Sequence, residues 1–334
     1  MEAIKRHKKE LLLVVLLIGF LSSFQIFTAM AQEKGYPEKP IQIIIPFGPG
    51  GITDIALRFL ASVIPQYIGQ PVVVINKPGA SGTIAFEYIS RQTKPDGYTM
   101  MGATAGPNTI VPARNPKLPF KFDDLTFIAR LQTSPMMLVV RNDSPFKTLS
   151  DMLDYIRKNP KKLKFSTAGL QTTQYLGPLV LLKSAKIPLD YVTAIHYDSG
   201  AEQNLALLRG DVDFCYNFAV MLTPLIKAEK LRGLLVPIKV KELPNVPTSQ
   251  ELGYPEANII GWQGVAGTPK LPDYVVKKWT EAIKKTMDDK SWGKMVGDSG
   301  DVPAYLGPDE FRHFVTGEVK RYREIFKELG LLIE

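Results

Sequence analysis

The chain has 334 residues, of which 45% are hydrophobic and 22% charged, a composition typical of a globular protein with one large or two medium domains. The formal net charge is +8, and residues 1–31 hold four basic and two acidic residues, so the remainder carries +6. This surplus is mild and forms no run typical of nucleic-acid binding. The composition therefore argues against a nucleic-acid partner and favours small anions.

Residues 1–31 have the parts of an export signal. A basic start precedes an apolar run from Leu11 to Phe20, and the small residues Ala29 and Ala31 fit a signal peptidase. We expect cleavage after Ala31 and a mature protein in the periplasm. An uncleaved membrane anchor is the alternative, because the apolar stretch continues less purely through Phe27.

The single cysteine, Cys215, cannot form an internal disulfide, and its apolar neighbours favour a packing role. An exported chain without disulfides is compatible with a bacterial periplasm, because a chain of this length can bury enough apolar surface without them.

The apolar run Ile41–Ile45 predicts a buried strand, followed by a glycine loop and a helix that begins near Thr53 and Asp54. Gly50 and Gly51 allow the backbone to turn sharply and to approach a ligand. A dinucleotide or P-loop motif is excluded, because Thr53 stands at the third glycine position and no G-K-S/T follows. Free N–H groups at a helix start suit a smaller anion, although a loop that only connects is the alternative interpretation.

Further strands and helices follow in alternation. Strands are expected at 71–75, 98–103, 127–131, 136–141, 163–166, 189–195, 212–216 and 231–236, and helices at 149–158, 175–186, 272–288 and 308–329. The alternation predicts parallel sheets, whose ligands lie beyond the carboxyl ends of the strands. The loops Phe47–Thr53, Asn76–Gly82 and Thr104–Asn108 should converge there. A second loop of small residues, Thr167–Thr173, is another candidate anion site.

Eight motifs resemble one family in order and spacing. They are Tyr36-Pro37 with Pro40-Ile41; Pro46-Phe47 with Gly50-Gly51, Asp54 and Arg58; Asn76-Lys77-Pro78-Gly79-Ala80 with Gly82; Pro95-Asp96-Gly97-Tyr98-Thr99; Gly210 with Val212-Asp213; Lys230-Leu231-Arg232; Pro247-Thr248 with Glu251 and Gly253; and Trp262 with Gly264. From about Tyr36 to the end, the sequence resembles the periplasmic solute-binding proteins of tripartite tricarboxylate transporters, the Bug-type receptors.

The resemblance implies a clamshell of two α/β domains, each a mainly parallel sheet flanked by helices, with the ligand in the cleft between them. We assign residues 32–131 and 255–334 to the first domain and 132–254 to the second. The ligand of such receptors is usually a small carboxylate, held by backbone N–H groups and ordered waters from one loop of each domain. The sequence departs from the family pattern at Gln171, Tyr175 and the stretch His196–Ser199, where the family often has Gly, His and Pro-Tyr-Lys-Gly.

The predicted ligand-binding residues come from these loops. They are Phe47, Gly50, Gly51, Thr53, Asp54, Thr104, Ala168, Gly169, Thr172, Tyr175, Tyr197, Asp198 and Ser199. Asp54 has two interpretations: it caps backbone donors, or it organises a water or accepts a hydrogen bond from the ligand.

No catalytic set is recognisable. His196 could enter the cleft, but no serine or cysteine elbow and no metal-spaced cluster accompanies it, so we expect neither an enzyme, nor a metal, nor a cofactor. The sequence predicts a monomeric periplasmic receptor that delivers a small organic carboxylate to the subunits of a membrane transporter. The alternatives are a ligand sensor with the same fold, an exported enzyme and a structural envelope protein. The sequence does not name the solute.

Overall fold

The computed structural model describes residues 35–118 and 121–333, so the predicted signal segment and its cleavage after Ala31 lie outside the described residues. From Pro40 onward the described chain forms one compact unit. Its strands are β1 Ile41–Ile45, β2 Val72–Asn76, β3 Thr99–Thr104, β4 Thr126–Ser134, β5 Met136–Arg141, β6 Leu163–Thr167, β7 Val192–His196, β8 Phe214–Phe218, β9 Leu231–Leu235, β10 Gly261–Gly267 and β11 Val302–Leu306.

The α-helices alternate with the strands along much of the chain. They are α1 Ile52–Val63, α2 Pro65–Ile68, α3 Thr83–Glu87, α4 Val111–Arg114, α5 Leu149–Lys158, α6 Thr173–Ser184, α7 Gly200–Arg209, α8 Ala219–Lys227, α9 Asp273–Met287, α10 Lys290–Ser299 and α11 Pro308–Leu329. Short π-helical turns over Tyr88–Gln92 and Gly106–Ile110 extend α3 and precede α4. Among the described residues, no helix is both long enough and apolar enough to cross a membrane.

The strands form two sheets, which define a first lobe and a second lobe. The six-stranded sheet of the first lobe has the order β11-β4-β10-β3-β1-β2, and the five-stranded sheet of the second has the order β7-β6-β8-β5-β9. Helices flank both sheets, so the predicted fold class is confirmed. The chain passes from β4 to β5 through Pro135 alone and returns ahead of β10. The predicted domain bounds, 131/132 and 254/255, remain a prediction.

Both sheets are mixed, which corrects the expectation of mainly parallel sheets. β1 pairs in parallel with β2 and β3, and β6 pairs in parallel with β7 and β8. β10 pairs antiparallel with β3 and β4, and β5 pairs antiparallel with β8 and β9. The chain crosses between the lobes before β5 and again before β10. Each of these strands therefore enters its own sheet without a preceding βα crossover, which would have fixed a parallel direction.

Two strands were not expected from the sequence. β10 contains three glycines, which are depleted in strands, and β11 contains Pro303, which strands tolerate at a sheet edge. In the fold β10 is fully buried between β3 and β4, and β11 is one of the two edge strands of this sheet. At Gly264 a side chain would collide with the Phe311 ring and the Ala129 carbonyl, so close packing requires glycine there. Residues 106–114, which follow β3, form the π turn and α4.

The long helix α11 covers the first sheet. Its Phe311 ring lies 5.3 Å from Trp262 of β10 and 5.1 Å from Phe127 of β4, centroid to centroid, and all three side chains are buried. Aromatic contacts of this kind bury large apolar areas, so α11 fixes the strands whose far ends lead to the cleft.

Candidate functional site

A pocket lies where the carboxyl ends of β1, β3, β6 and β8 meet. Its lining residues come from both lobes: Phe47, Gly51, Ile52, Thr53, Thr104, Gly106, Ala168, Thr172, Thr173, Gln174, Gly200 and Phe218. The cavity measures about 20 Å³, which is roughly the space of one water molecule. The two lobes are therefore closed on each other in this structure, and a ligand requires them to open.

Four helices begin at this pocket. Gly51 and Thr172 are the N-cap residues of α1 and α6, and neither makes a side-chain capping hydrogen bond. Gly200 is the first residue of α7, and Phe218 is the N-cap of α8. Each helix start presents N–H groups without intrahelical partners and a partial positive charge. None of the lining side chains is charged, so the helix starts dominate the electrostatics of the pocket and favour an anion.

Asp54 organises the first of the two predicted loops. Its carboxylate accepts hydrogen bonds from the Gly50 N–H at 3.0 Å, from Asn76 Nδ2 at 2.9 Å and from Arg58 Nε at 3.0 Å. Burial alone would raise the pKa of Asp54, but the hydrogen bonds from Arg58, Gly50 and Asn76 outweigh it and lower that pKa. Asp54 is not among the residues that line the pocket, and its hydrogen bonds hold the first loop.

The two glycines of this loop differ in conformation. Gly50 has φ +72°, a left-handed conformation in which a side chain is strained. Gly51 has φ −76° and ψ 166°, which any residue adopts. A Cβ at Gly51 would lie 3.8 Å from the Gly200 nitrogen of the opposite lobe. Gly50 is therefore required for the turn, whereas Gly51 is where the backbone of the loop faces the pocket.

The second loop is held by hydroxyl groups. Thr167 Oγ1 and Thr172 Oγ1 both donate to the Gly169 carbonyl, at 3.0 and 2.8 Å, and the two hydroxyls lie 3.1 Å apart. Gly169 has φ +124°, and a side chain there would collide with Ser81 of the first lobe. This loop is shaped by neutral groups, in contrast to the charged network of the first.

The lobes meet through their backbones beside the pocket. The Gly48 N–H donates to the Asp198 carbonyl at 3.0 Å, and a Cβ at Gly48 would lie 3.2 Å from Ser199 Cβ. A Cβ at Gly106 would lie 3.3 Å from the Ser81 carbonyl and 3.5 Å from that of Gln171. The three loops of the first lobe, Phe47–Thr53, Asn76–Gly82 and Thr104–Asn108, converge as expected. Gly82 of the second loop packs against Pro46, which precedes the first loop, and against Pro107 of the third.

The predicted site residues divide into two groups. Six line the pocket: Phe47, Gly51, Thr53, Thr104, Ala168 and Thr172. Seven do not: Gly50, Asp54, Gly169, Tyr175, Tyr197, Asp198 and Ser199. The second group supports the first, since Asp54 fixes the first loop, Ser199 Oγ accepts from the Glu202 N–H at the start of α7, and Tyr175 stacks 6.2 Å from Phe165 in the core.

Six lining residues were not predicted: Ile52, Gly106, Thr173, Gln174, Gly200 and Phe218. Thr173 and Gln174 follow Thr172 in the first turn of α6, so the helix start predicted there could have indicated them. Gly200 is the last residue of the loop Tyr197–Gly200, which the family resemblance placed beside the cleft. Phe218 ends β8, and its sequence neighbours carry no signal that places it at the cleft.

The described residues contain no group of three or more His, Cys, Asp and Glu side chains that could hold a metal ion. His196 is exposed at the end of β7 and does not line the pocket. Cys215 is fully buried, as expected, and burial raises the pKa of its thiol to about 12. Neither residue is placed for chemistry on a molecule in this pocket.

Comparison with known proteins identifies the family. A family model described as "Tripartite tricarboxylate transporter family receptor" matches residues 56–331. The chain belongs to this family. A UPF0065 protein of Bordetella pertussis is 30% identical to this receptor over 90% of its chain and 93% of the relative. The fold and the family are those of periplasmic solute-binding receptors and not of enzymes.

Solved structures agree with this assignment. The periplasmic binding protein BugD is 26% identical, with a TM-score of 0.83 over 90% of this chain and 100% of the other. The MatC protein of Rhodopseudomonas palustris, solved with bound malate, is 25% identical, with a TM-score of 0.81 over 87% of this chain and 99% of the other. The predicted resemblance to Bug-type receptors is therefore confirmed.

Proposed function

We propose that this receptor captures a small organic molecule with a carboxylate group and delivers it to a tripartite tricarboxylate-type membrane transporter. The observation that supports this proposal is the convergence of four helix starts on a pocket without a charged side chain. Such N–H groups bind an anion through charge-assisted hydrogen bonds. The carboxylate of malate in MatC belongs to the same chemical class.

Closure of the lobes adds to the affinity. Fixed N–H groups need no reorganisation when the carboxylate arrives, and contact between the loops excludes water from the pocket. Each hydrogen bond is then stronger, because the local dielectric constant falls. Release to the transporter requires the Gly48–Asp198 contact to open. The proposal includes export of the mature chain, beginning at Gln32, to the periplasm, and its action there as a monomer.

A thermal-shift screen of the mature protein tests the proposal. The panel contains malate, succinate, pyruvate, benzoate and nicotinate. An acid present at 100 times its Kd stabilises the folded state by about 2.7 kcal/mol, so a binder raises the melting temperature measurably.

Titration calorimetry then compares the best acid with its amide. We expect the amide to bind at least tenfold more weakly, because it has no charge to interact with the helix starts. Equal affinities of acid and amide, or no response to any acid in the panel, would contradict the proposal.

A further inference from the structure

A buried carboxylate directly follows a residue that lines the pocket. Asp54 lies in the first turn of α1, directly after the lining residue Thr53, and its side chain is only 5% exposed. An unpaired negative charge at this position would repel a bound carboxylate. An ionised Asp54 is therefore compatible with a bound carboxylate only if a positive charge nearby neutralises it.

Arg58 supplies the opposite charge from the next turn of the helix. Its Nη2 lies 2.9 Å from Asp54 Oδ1, and its Nε lies 3.0 Å from both carboxylate oxygens. This is a bidentate pair with a nearly buried acid and a half-exposed base. Arginine is suited to this geometry because its planar guanidinium matches the two oxygens of the carboxylate.

Asn76 closes the network from the end of β2. Its Oδ1 accepts from Arg58 Nη2 at 3.0 Å, and its Nδ2 donates to Asp54 Oδ1 at 2.9 Å and to the Phe47 carbonyl at 3.0 Å. The network thereby holds two backbone atoms of the first loop, the Phe47 oxygen and the Gly50 nitrogen. With these two atoms fixed, the N–H groups that follow at the start of α1 keep one orientation.

We propose that Arg58 is a positioning residue of the anion site, which neutralises Asp54 and, through Asp54 and Asn76, fixes the backbone that contacts the ligand. This inference rests on the proposed function. Arg58 does not line the pocket, so it acts on the ligand only through the loop and through the charge of Asp54.

Three variants test the inference: Arg58→Gln, Asp54→Asn and the double variant. Affinity is measured by calorimetry for the acid of the panel above that raises the wild-type melting temperature most. Arg58→Gln should raise Kd about tenfold, because Asp54 is then an unpaired negative charge beside the bound acid. The double variant should recover to within about threefold of the wild type, because the introduced asparagine side chain is neutral and its oxygen still accepts from the Gly50 N–H.

Arg157→Gln is the matched control. Arg157 pairs with Asp154 on the exposed face of α5, at 2.7 Å, and does not line the pocket. This variant should leave Kd unchanged. Because Arg58 and Asp54 are in direct contact, their effects on stability need not add whatever their role. A purely structural role would instead change the melting temperatures of the variants and leave Kd near the wild-type value, so the Kd measurements separate the two roles.

Amide hydrogen exchange of the ligand-free protein gives a readout that needs no acid. The peptide spanning residues 47–51 should exchange at least fivefold faster in Arg58→Gln than in the wild type, and Arg157→Gln should leave it unchanged. Unaltered exchange in Arg58→Gln overturns the inference, as does an unaltered Kd. If no acid of the panel binds the wild type, the proposed function fails, and the exchange experiment still decides whether Arg58 fixes the loop.

Discussion

Two aspartates of the first lobe are almost equally buried and have opposite titration behaviour. Asp54, in the loop beside the pocket, is 4% exposed, and Asp301, just before β11, is 6% exposed. The pKa of Asp54 lies below its ordinary value, whereas burial raises the pKa of Asp301 to about 7. Solvent exposure of the side chain alone therefore does not explain the difference, because the Asp301 carboxyl lies deeper in the protein and loses more solvation than that of Asp54.

The hydrogen-bond partners of the two carboxyls differ as well. Asp54 accepts from a guanidinium, a backbone N–H and an amide. Asp301 Oδ2 accepts from Gln132 Nε2 at 2.5 Å, and its Oδ1 has no hydrogen-bond partner among the described residues. Within the part of the chain that the structure describes, no ion pair includes Asp301. A buried carboxyl without a cation is more stable when it is protonated.

The surroundings of Asp301 are polar but incompletely bonded. Ser134 Oγ donates to Gln263 Oε1 at 2.7 Å, and Gln263 Nε2 has no partner within residues 35–118 and 121–333. This cluster, Gln132, Ser134, Gln263 and Asp301, lies where β4 and β10 pair, next to the crossing at Pro135. The comparison predicts that changes at the loop alter binding, and that neutralising the two aspartates changes stability with opposite signs and opposite pH dependence.

The largest expected effect is that of Asp301→Asn on stability at pH 8. The wild type buries an ionised carboxyl at this pH, and the shift of its pKa to about 7 sets an upper limit of roughly 4 kcal/mol on the cost. The amide of the variant is less well hydrogen-bonded than the carboxyl, which offsets about 1 kcal/mol of this gain. We therefore expect the variant to be more stable than the wild type by about 3 kcal/mol. Urea denaturation at pH 8, 6 and 4.5 measures the difference.

The sign of the pH dependence is fixed by linkage. A carboxyl whose pKa is raised in the folded state binds its proton more tightly there, so its contribution to stability is lost as the pH rises from about 4 to about 7. The advantage of Asp301→Asn should therefore shrink steadily between pH 7 and pH 4. A difference that is independent of pH would show that Asp301 does not titrate in this range.

Gly51→Val should act on binding with little effect on stability. The φ of −76° accepts a β-branched residue, but the added methyl groups would extend towards Gly200 across the pocket. We expect a loss of affinity of about 30-fold, or about 2 kcal/mol, for the best acid of the panel. The melting temperature should stay within about 2 °C of the wild type.

Measuring both quantities on one preparation decides what the glycine is for. A variant that melts much earlier but keeps its affinity would mean that Gly51 serves only the turn. Gly253→Val is not a useful control, because Gly253 has φ +81°, where valine is strained. Gly293→Ala in α10 is better, since no atom lies within 4 Å of its added methyl group.

Asp54→Asn should show the opposite pH dependence to Asp301→Asn. Loss of the charge-assisted hydrogen bonds from Arg58 and Gly50 should destabilise the fold by about 1.5 kcal/mol at pH 7. Because the pKa of Asp54 is lowered, this stabilisation is present above about pH 4 and is lost as the pH falls further. Urea denaturation of both variants, in a series extended down to about pH 3, compares the two aspartates directly, and slopes of equal sign would refute the contrast.

Lys183→Met gives the smallest expected effect. Lys183 of α6 pairs with Glu328 of α11 at 3.0 Å, but the two side chains are 41% and 65% exposed. Solvent-exposed pairs contribute about 0.5 kcal/mol or less, and salt screens them. We expect no pH dependence near neutrality. A change above about 1 kcal/mol in urea denaturation would mean that exposure is a poor guide to the strength of an ion pair in this protein.

The sequence by itself determined the elements that depend on local pattern. The apolar run before Gly50 placed β1, the polar residues after Gly51 placed the start of α1, and α5 has the predicted bounds, 149–158. Half of the lining residues could be predicted for the same reason. Backbone turns and helix starts depend on residues that are neighbours in the sequence, so they can be predicted from the sequence alone.

Tertiary structure decided what depends on residues far apart in the chain. The glycine-rich β10 is a central strand because β3, β4 and α11 enclose it, and this burial outweighs its low strand propensity. Phe218 reaches the pocket through the position of β8 in its sheet. Asp54 and Asp301 have the same side chain, and only the folded arrangement gives one of them a cation and leaves the other without. The charge state of a buried group follows from the atoms around it, and those atoms come from distant parts of the chain.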